Sequence, residues 1–222
     1  MSFRSRCRAA IALLIAAFLI ASAAFAADPH KVLRVASPDI DTLDPHQYND
    51  DPSFQVLRAI LEPLYEWGYL TSPAKLVPVT ASGPPEITDG GRTWVVHLQH
   101  GIRFTDDPAF GGKPRELTAD DYVYSLKRWI DPTLRRGGAP EVTAVVKGAR
   151  ALVDAAEALG GRFDYDKPIE GLTALDRYTL QLKLVEPHYP VVRNFLTQAA
   201  VAREVVEAAG GDVRTRAVGT GP

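Results

Sequence analysis

The chain has 222 residues, of which 46% are hydrophobic and 23% charged, and a formal net charge of −2. This is the balance of an ordinary globular chain, neither disordered nor fibrous. It has no basic excess or basic stripe, so nucleic acid is not an expected partner, and no repeat of fixed period or low-complexity linker divides it.

The N-terminus decides the compartment. Arg4, Arg6 and Arg8 precede an apolar run over residues 9–20, and Ala24-Phe25-Ala26 places small residues where a signal peptidase reads. A charged start, a short apolar run and an A-x-A site together predict a cleaved secretory signal over residues 1–26, with cleavage between Ala26 and Ala27. The run is too short to span a bilayer. Cys7, the single cysteine, lies before the run, where it cannot become the lipid-modified residue of a lipoprotein. The mature chain then has no cysteine and depends on its core rather than on disulfides. These features predict a soluble periplasmic protein.

Residues 32–36 (VLRVA) read as a first strand. Thr42-Leu43-Asp44-Pro45-His46 follows as a turn, because Pro45 fixes its own φ and biases Asp44 away from helix. Asp51-Pro52-Ser53 opens a helix with apolar positions at Phe54, Leu57, Ile60, Leu61 and Leu64, ended or kinked by Pro63. Trp94, Val96 and Leu98 alternate on one face of a strand. Thr118 and Asp121 have the spacing of a capping box, with Val123, Leu126 and Ile130 as the core stripe behind it. One long helix is expected over residues 142–159, stopped by Gly160-Gly161. Leu180, Leu182 and Leu184 mark another strand, stopped at Glu186-Pro187, and one or two helices follow before Gly210-Gly211.

Several residues invite a chemical reading that their spacing does not support. His97 and His100, three apart on or beside a strand, are a poor chelate, and the other histidines (His30, His46, His188) add no metal motif. Asn49-Asp50-Asp51-Pro52 lacks the glycine of a calcium loop and reads as a helix start. The pairs Asp106-Asp107 and Asp120-Asp121 have local work as turn and cap residues. Ser53 and Ser125 sit in no nucleophile elbow, and Gly219-Thr220-Gly221 lacks the lysine of a phosphate loop. No catalytic residue, metal or cofactor is expected, and a secreted hydrolase is the rival that a missing nucleophile motif argues against.

The stretch over residues 91–132 carries a longer pattern: Trp94, Leu98, Gly101, Phe104, then Thr118, Ala119, Asp121, Tyr124, Ser125, Arg128, Asp131 and Pro132. It resembles the family 5 solute-binding proteins of bacterial ABC importers, the group of the oligopeptide, dipeptide and nickel receptors. Thr42 to His46, Glu62-Pro63-Leu64-Tyr65, Leu76-Val77-Pro78, the Ala174 to Thr179 segment with Glu186-Pro187, and Gly219-Thr220-Gly221-Pro222 extend the likeness over nearly all of the mature chain.

The resemblance implies an α/β fold, the first lobe of a two-lobe periplasmic binding protein (type II-like, with the extra subdomain of the peptide-binding group). After the signal, residues 27–61 would be the first part of lobe I, 62–204 an inserted subdomain with its own core, and 205–222 the return to lobe I, cut short within the last motif. It implies a non-enzymatic monomer that captures short peptides and delivers them to ABC permease subunits in the inner membrane. A nickel or haem ligand, or a fragment without function, are the alternatives. The resemblance places ligand contacts at Tyr48, Asn49, Asp50 and Asp51 and at Thr197 and Gln198; on the residues alone, the first four read equally well as a polar surface loop. Where relatives often carry an aromatic after D-P, this chain has Arg136-Gly137-Gly138-Ala139-Pro140.

Overall fold

Asp50 is extended and its side chain accepts a hydrogen bond from Ser53 N at 2.8 Å, which starts helix α1 (Asp51–Ile60) with Pro52 in its first turn. The computed structural model describes Val32, Arg34 and residues 38–134 and 139–221. The expected signal peptide and the expected strand over residues 32–36 therefore fall on residues outside those described, Val32 and Arg34 apart. Helix α1 ends at Ile60, and Leu61 caps it by donating to Leu57 O at 2.8 Å. The helix thus stops two residues before Glu62, whose position ahead of Pro63 disfavours helical backbone. Leu57, Leu61 and Leu64 are buried, whereas Phe54 is exposed. Replacing Asp50 by alanine is expected to cost about 1 kcal/mol through loss of the cap, while Asp50→Ser should restore most of it; urea unfolding of the two variants measures the difference.

Beyond α1 a hairpin pairs β1 (Tyr65–Trp67) with β2 (Leu76–Pro78). The larger sheet contains β3 (Glu86–Thr88), β4 (Thr93–His97), β5 (Leu172–Asp176) and β6 (Thr179–Lys183), in the order β3-β4-β6-β5. All its pairings are antiparallel. Trp94 lies opposite Leu182 and Val96 opposite Leu180, so the alternation read in each strand lands on one shared face. That face, with Leu98, Leu172 and Leu184, is buried.

Helix α2 (Ala119–Ile130) packs against β5 and β6. Its expected cap is present: the Asp121 carboxylate accepts from Thr118 N at 2.8 Å and from Thr118 Oγ1 at 2.9 Å. The helix is not the one-sided amphipath its apolar stripe predicted. Tyr122, Tyr124, Ser125, Lys127, Arg128 and Trp129 are buried along with Leu126 and Ile130, and Val123 is only partly so. Neighbours on more than one side explain this: α2 packs against the sheet, and its polar side chains meet Asp44 and His46, Tyr165 and Lys167, and Val201, all distant in sequence.

The single helix expected over residues 142–159 is two: α3 (Pro140–Val145) and α4 (Ala149–Ala158). Between them Val146 bridges Leu184, Lys147 N donates to Lys183 O, and Lys147 O accepts from Gly171 N. Backbone pairing with the end of β6 outcompetes helix continuation here, and Gly148 at φ 78° supplies the left-handed turn that restarts the helix. Helices α5 (Tyr189–Leu196) and α6 (Arg203–Ala208) complete the order. No described helix is long and apolar enough to cross a membrane.

Candidate functional site

The polar residues of α2 hold together segments far apart in sequence. Ser125 Oγ donates to Asp121 O at 2.7 Å and accepts from Val201 N at 2.8 Å. Lys127 Nζ donates to Tyr165 O and Lys167 O at 2.8 and 2.9 Å. Arg115 bridges Asp121, at 2.7 Å, to Glu204, at 2.8 Å. Just past the helix, Tyr165 donates to the Asp131 carboxylate at 2.5 Å. The motif that suggested the family is therefore, in the molecule, a set of buried ties.

The deepest of these ties is Arg128. Its Nη2 meets the Asp44 carboxylate at 2.6 Å and its Nε donates to His46 Nδ1 at 3.3 Å. Asp44, His46 and Arg128 are each at most 2% exposed. Asp44 also accepts from His46 N at 2.9 Å and from Gln47 Nε2 at 2.8 Å, and Thr42 Oγ1 accepts from Asp44 N at 3.0 Å. Burial alone would push the Asp44 carboxyl up, but the hydrogen bonds from His46 and the positive charge of Arg128 outweigh it and hold the carboxyl well below the usual carboxylate range. The turn read at Thr42 to His46 is thus anchored on α2, a pairing between residues more than 80 positions apart that turn chemistry does not reveal.

Past this anchor the chain passes along an open cleft of about 600 Å³. Tyr48 lines it, with Phe54, Leu57, Arg58 and Leu61 of α1, Tyr65, Glu66 and Trp67 of β1, Trp129 of α2, the start of α3 and the end of α5. Tyr48 and Phe54 stack at 5.6 Å between centroids. Arg58 lies over the Phe54 ring at 5.7 Å and reaches Glu66 at 3.6 Å. Burial pushes the Tyr65 phenol up to about 12, and its hydroxyl donates to Gly83 O at 2.8 Å.

Of the six residues expected at the site, Tyr48, Thr197 and Gln198 line this one cleft. Asn49, Asp50 and Asp51 are beside it in the chain but not among its lining residues. Asp50 caps α1, and Asn49 and Asp51 are exposed. Thr197 Oγ1 donates to the carbonyls of Arg193 and Asn194, both at 3.2 Å, and Gln198 Nε2 to Asn194 O at 3.2 Å. Sequence reasoning missed Phe54, Trp67, Trp129, Glu141 and Asn194 as cleft residues. Phe54 carried the only available signal, an apolar residue on a helix flank next to a polar loop. His97 faces Glu86 and Thr179, and His100 stacks on Tyr178. Among the described residues no group of three histidine, cysteine or acidic side chains is arranged to hold a metal.

An open concave surface with aromatic faces and a few hydrogen-bonding groups is the chemistry of non-covalent capture. The mixed helix–sheet fold is that of the first lobe of the two-lobe substrate-binding proteins. It matches Listeria monocytogenes OppA bound to peptide with a TM-score of 0.65 at 21% identity, over 84% of this chain and 34% of that one. It matches the Escherichia coli murein tripeptide binding protein MppA with a TM-score of 0.60 at 26% identity, over 84% and 33%. In sequence it is 30% identical over 165 residues to the periplasmic oligopeptide-binding protein OppA of Escherichia coli K12, covering 72% of this chain and 26% of OppA. It is 25% identical to di/tripeptide-binding protein 2 of Pseudomonas aeruginosa UCBPP-PA14, covering 99% of this chain and 39% of the relative. The profile of the bacterial extracellular solute-binding proteins, family 5 Middle, matches residues 75–222. The chain belongs to the family 5 bacterial extracellular solute-binding proteins, a family of binding proteins, and spans well under half the length of these relatives.

Proposed function

We propose that this protein is a periplasmic receptor that captures short peptides and hands them to an ABC permease, without catalysing a reaction. The observation that carries the reading is the cleft itself, where the Tyr48 loop, strand β1 and the end of α5 meet around aromatic faces. Membership of a binding-protein family whose relatives include oligopeptide- and di/tripeptide-binding proteins supports it. Export through a signal over residues 1–26 follows from the arginines and the A-x-A site, and N-terminal sequencing of the periplasmic fraction tests it; Met1 retained there would refute cleavage. Extended peptides held largely by main-chain hydrogen bonds suit a receptor that accepts varied side chains.

Calorimetry of the complete gene product with a mixed di- to tetrapeptide pool is the test. Peptide binding in the presence of a chelator is expected. Replacing Asn49 or Asp51 by proline removes a main-chain donor beside the cleft, and about a tenfold loss of affinity with an unchanged unfolding midpoint is expected, the scale of one or two hydrogen bonds. A protein that ignores peptides but binds nickel or haem tightly would overturn the substrate and leave the receptor.

A further inference from the structure

Residues 216–221 run as a strap from Asp107 to the end of α1. Arg216 Nε and Nη2 donate to the Asp107 carboxylate at 3.0 and 2.6 Å. Further along, Gly219 O accepts from Thr105 N at 2.8 Å and from Thr105 Oγ1 at 3.2 Å. At the far end Gly221 N donates to Ile60 O at 2.9 Å. Ile60 is the last residue of α1, and the last carbonyls of a helix have no partner within it. The strap supplies one.

Two glycines let the strap lie flush on the helix end. Gly219 is buried, and a Cβ built on it would overlap Ile60 O and fall 2.9 Å from Leu61 Cδ2. A Cβ on Gly221 would fall 2.8 Å from Ile60 O and 3.0 Å from Ala59 O. Leu61 has a second neighbour of another kind: it lines the cleft, as does Leu57 one turn earlier. The end of α1 is therefore a thin wall, with the strap behind it and the cleft in front. Close packing transmits a displacement from one side of such a wall to the other.

We propose that Gly219 is a positioning residue for peptide capture, which acts through Ile60 and Leu61 by fixing the α1 wall of the cleft. The inference rests on the peptide reading above and adds a residue outside the cleft that sets affinity. Linkage makes the effect reciprocal: the factor by which an open strap weakens peptide binding is the factor by which bound peptide holds the strap closed.

The test combines calorimetry and amide hydrogen exchange on the complete gene product with the di- to tetrapeptide pool. Gly219→Ala should bind the pool about tenfold more weakly, within the usual range of coupling between two sites. In the unaltered protein, saturating pool should slow exchange at the Thr105 and Gly221 amides by a similar factor, beyond any slowing at the Lys147 and Leu184 amides. Thr105→Val removes only the side-chain bond to Gly219 O and should lower affinity in the same direction by less, which decides the matter should Gly219→Ala not fold. Leu182→Val, in the sheet and outside both the cleft lining and the strap, should lower stability without changing affinity. A Gly219→Ala protein that opens the strap yet keeps native affinity, or bound pool that leaves both strap amides unchanged, overturns the coupling and leaves the peptide receptor standing. Failure of the unaltered protein to bind the pool overturns both readings.

Discussion

Replacing Arg128 by methionine is expected to destabilise the folded chain by about 3–5 kcal/mol, because it leaves the buried Asp44 carboxylate without its counter-charge. Arg128 and Asp44 are 2% and 0% exposed and 2.6 Å apart, so water cannot replace the lost partner. Adding Asp44→Asn to Arg128→Met should recover part of the loss, since the double variant no longer buries an uncompensated charge. Arg128→Lys should fall between, keeping the charge but not the simultaneous reach to Asp44 and His46. Urea midpoints at constant slope measure all three; an Arg128→Met midpoint equal to that of the unaltered chain would remove the network from the account of stability. The same pair sets an acid limit. The folded-state pKa of Asp44 lies below its unfolded value, so its contribution is complete above the usual carboxylate range and is lost as pH falls through and below it. The interactions with His46 contribute most to the lowering and the Arg128 charge adds to it, so in Arg128→Met the carboxyl loses one of its lowering partners and this acid-side loss of stability should begin at higher pH.

Gly219→Ala is expected to lift the last segment of the chain off α1, at a cost of about 1–3 kcal/mol from overpacking. A Cβ there would overlap the carbonyl oxygen of Ile60 and lie within 2.9 Å of a Leu61 methyl. Backbone cannot rotate away as a side chain can. Gly219 O accepts from Thr105 N at 2.8 Å, and Gly221 N donates to Ile60 O at 2.9 Å. Both bonds should open, so hydrogen exchange at the Thr105 and Gly221 amides should quicken selectively. Gly83→Ala, where an added Cβ meets nothing within 4 Å, is the control. Unchanged exchange at both amides in Gly219→Ala would show that the segment is not held by this contact.

Local chemistry was legible in the chain wherever neighbours in sequence decide it. The helix start at Asp51-Pro52-Ser53, the Thr118–Asp121 box, the stop before Pro63 and the alternation at Trp94, Val96 and Leu98 and at Leu180, Leu182 and Leu184 each depend on residues a few positions apart, and each is found where spacing put it. The family pattern was legible for the same reason, since its residues recur at fixed spacing. Contacts across the fold were not. A helix over residues 142–159 was the local preference, but Val146 and Lys147 gain backbone partners in Leu184, Lys183 and Gly171 that spacing cannot reveal. Arg128 was legible as a position of the family pattern, but its burial against Asp44 and His46 was not. The cleft shows the same limit: Tyr48, Phe54, Trp67, Trp129, Glu141 and Gln198 come from separate elements. Periodicity reports which face of an element is apolar, whereas a site of this kind is set by which faces of different elements meet, and that is decided only when the whole core closes.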